Sequence, residues 1–448
     1  MSVAAWLGPE GLFARNAAGF VPREAQLAMG LAVERALSAE QTLLIEAGTG
    51  TGKTLAYLVP AILSGKKIVI STGTKTLQDQ IVQRDLPLIE RQLGKPIAAV
   101  CMKGLSNYLC LRRYEEFRRG PEAAFGPHAK QLPLLERWRE TTATGDRAEL
   151  TEFALDAPLW HEVQSSSETR IGPKCAHFAP CFVTKMRKEA ETARILIVNH
   201  HLYFADLAMR GPHSGGVIPD HDAVIFDEAH GIEDVATEFF GVSVSTSKIE
   251  LLLRDAQRAF VAAGLFARSE RLTSAVALTA AHFFETLPRA KTGESGRVPL
   301  LPETFLVRLQ EPMFALDNAL DALSSFAALA QSESEAIAQI ARRADQIRNE
   351  VASIADGGQG GQVTWTLARG RSVSIGSSPV EIANVLRDKL FMRSGACVLT
   401  SATLSTGNSF EYVKARLGID FDIEETSLAS PFDYPQQAAL YLPRGLGD

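Results

Sequence analysis

Short apolar runs recur along this chain, and those in the first 100 residues alternate with predicted helices. The runs are predicted to be buried strands at 42–45, 67–71, 195–198, 223–226 and 396–399. Continuous apolar strands that alternate with helices are typical of a parallel sheet with both faces covered. Because these strands are far apart in sequence, one sheet must be assembled from separate pieces of chain. The long segments between them are predicted to be inserted domains.

The longest intervening segment is expected to be largely helical. Apolar residues recur at alternating three- and four-residue steps from Ile337 to Ile354, and leucines from Leu316 to Leu323 mark an earlier helix. We expect a pair of long antiparallel helices whose apolar stripe forms a core rather than a cofactor site. The glycine-rich run 357–361 is expected to end the pair.

A glycine-rich turn links the first predicted strand to a helix. It contains Gly48, Thr49, Gly50, Thr51, Gly52, Lys53 and Thr54. The backbone amides of such a turn point at a phosphate chain, and the helix N-terminus adds its dipole. By this pattern Lys53 reaches the β- and γ-phosphates of a nucleotide, and the Thr54 hydroxyl ligates Mg²⁺. Ala47 occupies the place of the usual first glycine, so the turn alone is also compatible with a tight structural connection.

An acidic pair, Asp227 and Glu228, follows another predicted strand in the sequence Asp-Glu-Ala-His. Asp227 is predicted to hold the metal and Glu228 to polarise the attacking water. The side-chain amide of Gln26 is suited to read an adenine edge. Ser401-Ala402-Thr403 either couples the carboxylates to a moving partner or caps a helix. Lys53, Asp227 and Glu228 are therefore the predicted catalytic residues of a nucleotide-hydrolysing site.

Composition narrows the class of protein. The chain has 448 residues, 46% hydrophobic and 22% charged, which predicts a soluble globular protein of roughly two to four domains. Without a basic leader or an apolar stretch of membrane-spanning length, we expect a cytoplasmic protein with no membrane contact. The net charge is −6, so any contact with nucleic acid must come from local positive grooves.

Taken together, the motifs resemble those of the DinG/YoaA-type iron–sulfur superfamily 2 DNA helicases, bacterial relatives of XPD. The resemblance covers the chain in order and is carried by Gln26, the turn 47–54, the segments 71–80, 103–110 and 198–202, the Asp-Glu-Ala-His sequence and 400–405. It implies ATP-driven 5′→3′ movement on single-stranded DNA in repair and replication. It also implies an α/β fold, a RecA-like P-loop NTPase parallel sheet with an iron–sulfur insertion and a helical arch insertion.

The same resemblance implies domain boundaries and ligands. Lobe 1 of the helicase would comprise 1–100, 191–237 and 386–432, the iron–sulfur insertion 101–190, the helical arch 238–385, and the start of a second lobe 433–448. ATP and Mg²⁺ are the implied ligands of lobe 1. Gln26, residues 48–54, Asp227 and Glu228 would bind the nucleotide, and the insertion would hold a 4Fe–4S cluster.

The cysteines depart from the family pattern. An odd number of cysteines, five, argues against a disulfide framework. The family holds its cluster with four cysteines, the last three spaced C-x₄-C-x₅-C. Three of the four positions are matched by Cys110, Cys175 and Cys181. Arg170 stands at the remaining one, and a protonated guanidinium has no lone pair for iron. The cluster is therefore absent, lacks one iron, or takes Cys101, His177 or water as its fourth ligand.

A second departure concerns the second lobe. In superfamily 2 motors, arginines of that lobe complete the ATP site, and such an arginine accelerates phosphoryl transfer by about 10³–10⁵ in related enzymes. Residues 439–443 resemble the entry into the lobe, and no Q-x-x-G-R-x-x-R segment occurs. We expect this chain alone to bind Mg-ATP and single-stranded DNA but to hydrolyse ATP slowly and unwind nothing, unless a separate chain supplies the lobe. The alternatives are a non-catalytic DNA-binding or regulatory module and an ATPase that remodels RNA or nucleoprotein complexes.

Three stretches are candidates for DNA contact. In 111–119, basic side chains alternate with aromatic ones that can stack on bases, although a solvated amphipathic helix explains the same pattern equally well. The basic residues of 185–188 form a second candidate. Residues 199–201, at the end of a predicted strand, either touch DNA or are hydrogen-bonded within the fold.

Arg170→Cys is expected to complete a set of four thiolates and therefore to raise the amount of iron bound per chain. Iron content and visible absorption of the parent chain and the variant, prepared side by side, measure this. Equal iron per chain in both proteins would contradict the prediction.

Overall fold

The structure is a computed structural model that describes residues 2–120, 123, 130–152, 157–167, 169–210, 216–288, 297–301, 303, 305–356, 361–370 and 372–439. The chain divides into two compact units. The first unit contains the residues up to Lys103, Met186–Ala236 and the residues from Ile382 onward, and the second unit contains Gly104–Lys185 and Thr237–Glu381. Each unit has its own sheet and its own hydrophobic core.

The strands are numbered in chain order. They are β1 (Thr42–Ala47), β2 (Ile68–Thr72), β3 (Ala99–Cys101), β4 (Ile195–Asn199), β5 (Ala223–Asp227), β6 (Val242–Ser245), β7 (Val298–Pro299), β8 (Gln362–Arg369), β9 (Ser372–Pro379), β10 (Ala396–Ser401) and β11 (Glu424–Leu428).

The described α-helices vary from one turn to six. They span Ala4–Leu7, Leu12–Asn16, Glu24–Ala39, Lys53–Leu63, Lys75–Gln80, Leu86–Leu93, Leu111–Arg119, Leu132–Thr141, Pro158–Val163, Phe182–Thr192, His200–Met209, Ile232–Phe239, Thr246–Ala262, Phe266–Thr286, Gln310–Leu329, Glu335–Asp356, Ala383–Leu386, Glu411–Leu417 and Tyr434–Gln437. None of them combines the length and apolarity needed to cross a bilayer.

The sheet of the first unit has seven strands in the order β11-β1-β10-β5-β2-β4-β3, and its neighbours all pair in parallel. This confirms the predicted α/β parallel sheet. β2, β4, β5 and β10 are buried along their whole length, and each begins with a continuous apolar run, as strands covered on both faces do. Because all strands run the same way, their carboxyl ends meet at one edge of the sheet.

Polar side chains start the helices at this edge. After β2, the Thr74 hydroxyl accepts a hydrogen bond from the Leu77 amide at 3.3 Å. After β4, Asn199 Oδ1 accepts from the Leu202 amide at 2.8 Å. Both side chains replace a backbone acceptor that the first turn of a helix lacks. Asn199 therefore acts as a helix cap in this fold.

The second unit combines helices with a small antiparallel sheet. Helices Gln310–Leu329 and Glu335–Asp356 pack together, and the Ser324 hydroxyl donates to the Ala341 carbonyl at 3.1 Å. The predicted apolar stripes of both helices are buried, as expected. Of the run predicted to end the pair, 357–360 lie outside the described residues. The described part of the segment is largely helical, as expected, and it also contains the four-stranded sheet β6-β9-β8-β7, which was not predicted.

Leu320→Ala is expected to lower the free energy of unfolding of the second unit by about 2–5 kcal/mol, because it leaves a cavity at a fully buried position. Leu329→Ala, in the same helix but with its side chain 87% exposed, is the matched control and should change it by less than about 0.5 kcal/mol. Urea denaturation followed by circular dichroism measures both. Equal losses in the two variants would show that the helix does not pack as described.

Candidate active site

The glycine-rich turn leaves β1 through two glycines in the left-handed region. Gly50 has φ +83° and Gly52 has φ +82°, a conformation that glycine adopts without steric cost. Thr51 closes the turn, because its fully buried hydroxyl donates to the Gly48 carbonyl at 2.7 Å. The backbone is therefore folded into the tight strand-to-helix connection that anion-binding loops require.

Two side chains lie against this turn. The Lys53 ammonium donates to the Ala47 carbonyl over 3.4 Å, which is a long and weak contact. Gln26, 2% exposed, donates from Nε2 to the Gly52 carbonyl at 3.0 Å. Gln26 Oε1 is buried and accepts no hydrogen bond from the described residues. A buried acceptor without a donor is costly, so this oxygen suits a ligand amino group such as that of adenine.

Asp227, at the carboxyl end of β5, is tied to the helix that follows the turn. The hydroxyl of the fully buried Tyr57 donates to Asp227 Oδ2 at 3.0 Å, and the Glu228 amide donates to Oδ1 at 3.1 Å. Tyr57 therefore ties Asp227 to the helix that follows the glycine-rich turn, and no sequence motif pointed to it.

The surroundings of Asp227 favour its protonated form. Burial raises the pKa of Asp227 to about 6, and the charge of Glu228 adds to the rise, while the Tyr57 hydroxyl and the Lys53 charge act in the opposite direction. A carboxylate that is costly to ionise in a buried site is stabilised by a cation. Carboxylate and hydroxyl oxygens are also the ligands that Mg²⁺ prefers. The residues present therefore fit a magnesium site.

Glu228 has a strained backbone and two polar neighbours. Its φ of +58° and ψ of +45° are left-handed, which is unusual away from glycine and is often found at functional sites. The Ser401 hydroxyl donates to Glu228 Oε2 over 3.4 Å, and His230 Nδ1 lies 3.4 Å from the same oxygen. Ser401 and His230 are themselves 2.9 Å apart. The end of β10 therefore contacts the acidic pair.

Glu46 connects β1 to the turn that follows β10. Its carboxylate accepts from the amides of Leu404 and Ser405 at 2.6 and 2.7 Å and from the Ser405 hydroxyl at 2.9 Å. Burial raises the pKa of Glu46, but these donors outweigh it and hold the pKa below its ordinary value. The next described helix begins only at Glu411, so the alternative interpretation of 401–403 as a helix cap is wrong.

Residues after β11 lie over the glycine-rich turn. The Ser430 hydroxyl donates to the Thr49 carbonyl at 2.9 Å. A Cβ atom at Gly50 would lie 2.2 Å from the Phe432 ring. Gly50 is therefore required by packing as well as by its φ angle. Sequence reasoning missed both side chains, because nothing in the local sequence signals a contact with the turn.

The three predicted cluster ligands lie in the second unit. Cys110 precedes the helix Leu111–Arg119, and burial raises the pKa of its thiol although Arg113 and Arg112 act in the opposite direction. Within the described part of the chain, no group of three or more His, Cys, Asp or Glu side chains is arranged to hold a metal ion. Three thiols with Arg170 do not fit a four-thiolate cluster. The predicted iron–sulfur cluster is not confirmed.

Two of the candidate DNA contacts are turned inward. In the helix Leu111–Arg119, Tyr114 and Phe117 are buried, and the buried Arg113 donates to main-chain carbonyls of its own unit. This favours the amphipathic-helix interpretation. His200 is 1% exposed, and its Nδ1 lies 2.7 Å from the Ser71 hydroxyl, so it is hydrogen-bonded within the fold.

Comparison with known proteins agrees with these motifs. The family model described as DEAD/DEAH box helicase matches residues 30–139, and DEAD_2 matches residues 167–249. The ATP-dependent DNA helicase YoaA of Haemophilus influenzae is 34% identical over 436 residues, which cover 97% of this chain and 68% of that protein. The ATP-dependent helicase DinG of Mycobacterium tuberculosis is 29% identical over 457 residues, which cover 95% of this chain and 66% of that protein.

A solved structure of truncated XPD is a more distant likeness. It gives a TM-score of 0.43 at 13% identity, over 88% of this chain and 98% of that one. At this level of similarity the XPD structure adds no weight to the fold described above.

Asp227→Asn is expected to change how stability depends on pH in metal-free buffer. With a pKa raised to about 6, the folded parent chain binds more protons than the unfolded chain between about pH 4 and 6, so its stability falls as pH rises through this window. The shift of roughly two units corresponds to about 3 kcal/mol. Asp227→Asn lacks this loss. Its free energy of unfolding relative to that of the parent chain should therefore rise by up to that amount as the pH rises through this window.

Urea denaturation of both proteins at pH 4.5 and pH 7 in the presence of EDTA measures the difference. Asp222→Asn, a carboxylate of the same unit that accepts from the Lys67 amide, is the control for removing one charge. A stability difference between parent and Asp227→Asn that does not change with pH would contradict the prediction.

Proposed function

This chain belongs to the YoaA/DinG family of ATP-dependent DNA helicases, and we propose that its first unit binds ATP with Mg²⁺ and uses hydrolysis to act on DNA. The proposal is carried by the meeting of three adjacent strand ends: Lys53 follows β1, Asp227 ends β5, and Ser401 ends β10 between them. A phosphate chain on the glycine-rich turn would face the acidic pair from this position.

Each predicted residue has a role that its surroundings support. The amides of residues 48–52 and the Lys53 ammonium would hold the β- and γ-phosphates. Gln26 would accept from the adenine amino group through Oε1, the atom that is buried without a partner among the described residues. Glu228 would orient and deprotonate the attacking water, as an acidic residue does in phosphoryl transfer.

Thr54 and Asp227 would hold Mg²⁺, directly or through its water ligands. Bound there, the ion would neutralise charge on the phosphates as the bond to the leaving group breaks. Tyr57 keeps the Asp227 side chain in place through its hydroxyl. Because Asp227 is costly to ionise on its own, the cation and the carboxylate stabilise each other.

The contacts of Ser401 support a coupling role. Ser401 touches both Glu228 and His230, and Glu46 holds the turn after it. A movement of this turn would therefore alter the group that handles the attacking water. We propose single-stranded DNA as the polymer that drives such a movement, with travel in the 5′→3′ direction and roles in repair and replication. Arginines of a second lobe, in the same or a separate chain, would complete the site.

Lys53→Ala and Glu228→Gln are expected to separate nucleotide binding from hydrolysis. The first should weaken Mg-ATP binding by at least about tenfold, because a charge-assisted hydrogen bond to phosphate is lost. The second should bind Mg-ATP as the parent chain does but lose the slow ATP hydrolysis that is expected of the parent chain in the presence of single-stranded DNA. Anisotropy of a fluorescent ATP analogue and phosphate release measure the two properties.

Lys95→Ala, which changes an exposed lysine of the same unit, is the control and should bind Mg-ATP normally. Parent-chain affinity no better than that of Lys53→Ala would contradict the proposed site. Hydrolysis retained in Glu228→Gln would contradict the role of that carboxylate. Equal stimulation by RNA and DNA would favour the RNA- or nucleoprotein-remodelling alternative.

A further inference from the structure

The segments that carry the cysteines are joined by arginine side chains. The Arg170 guanidinium donates from Nη2 to the Thr184 hydroxyl at 3.0 Å, and Thr184 is 5% exposed. Thr184 stands three residues after Cys181 in the helix Phe182–Thr192. Arg170, which stands at the ligand position that lacks a cysteine, therefore bonds directly to the helix that follows Cys181.

A second arginine closes the connection to the first cysteine. Arg112, two residues after Cys110, donates from Nη2 to the Thr169 carbonyl at 2.9 Å. Thr169 is itself buried, and its hydroxyl bonds to Ser166 at 2.8 Å. The segment of Cys110 is thus linked to the segment that begins at Thr169 and contains Cys175. These bonds tie the three segments together, and none of them involves a thiol.

The same backbone is anchored to the core of the second unit. The Gln339 amide donates to the Arg170 carbonyl at 2.8 Å. Gln339 lies in the helix Glu335–Asp356, and its neighbours Ile337 and Ile340 are buried in the hydrophobic core. Arg170 is therefore held through both its guanidinium and its main chain. A side chain fixed in this way occupies the place that a fourth cysteine would need.

We propose that a polar clamp holds these segments together in place of an iron–sulfur cluster. The clamp consists of the bonds Arg112–Thr169, Arg170–Thr184 and Gln339–Arg170. A Cys₄ cluster would cross-link the same stretches of chain through four iron–thiolate bonds. In this chain the cross-links are hydrogen bonds, two of them charge-assisted, which are stronger than neutral ones. The three remaining thiols are then dispensable for the structure.

Amide hydrogen exchange of the full chain tests the clamp, read on peptides that cover 169–185. Thr184→Val and Gln339→Ala should each speed exchange there by roughly fivefold, the effect of losing one hydrogen bond. Gln346→Ala is the matched control, because Gln346 is exposed on the same helix and donates to Glu350 of that helix. The triple variant Cys110→Ala/Cys175→Ala/Cys181→Ala should exchange like the parent chain.

Iron and acid-labile sulfide in the anaerobically purified parent chain give an independent measurement, and both should be far below one per chain. An iron chelator with reductant should leave exchange of 169–185 unchanged. Stoichiometric iron, or faster exchange on chelation or in the triple variant, would overturn the proposal. So would exchange in Thr184→Val and Gln339→Ala that matches the Gln346→Ala control.

Discussion

The candidate active site depends on the parallel pairing of β10 with β1 on one side and β5 on the other. The register sets Glu46 beside Ser401 and Thr400 beside Asp227. Neighbouring strands lie about 4.8 Å apart, so polar side chains at three successive strand ends can meet without a long loop. The pairing of these three strands therefore places three features at one edge of the sheet: the glycine-rich turn, the acidic pair and the turn after β10.

This edge keeps several groups in unfavourable states. Gln26 Oε1 is buried without a partner among the described residues, Asp227 ionises at a cost, and Glu228 has a left-handed backbone. Each of these costs about 1–3 kcal/mol, a sizeable share of the roughly 5–15 kcal/mol that stabilises an ordinary domain. A nucleotide with its cation would relieve the first two. The hydrophobic core of the first unit offsets the cost.

The sequence predicted what is encoded locally. Strands buried on both faces were found because their apolar runs are continuous, whereas β11 alternates between half-buried and exposed positions and β9 is rich in serine. Motifs located Lys53 and Asp227. Tyr57, which touches Asp227 from 170 positions away, and Ser430, which reaches the turn from 381 positions away, were missed. Contacts over such separations arise from tertiary packing and leave no periodic or spacing signal in a single sequence.

The position of β10 also has a consequence for the order of folding. In the described sheet β1 pairs only with β10 and β11, both of which come late in the chain. During synthesis β2, β4 and β5 can pair early, but β1 stays without a neighbour until Ala396 and the residues after it have been made. Both segments of the second unit lie between β1 and β10 in sequence. This unit can fold in that interval, because it has a separate hydrophobic core. Closing the first sheet is then a slow, long-range step. The edge of the sheet that carries the candidate active site is therefore among the last features of the molecule to form.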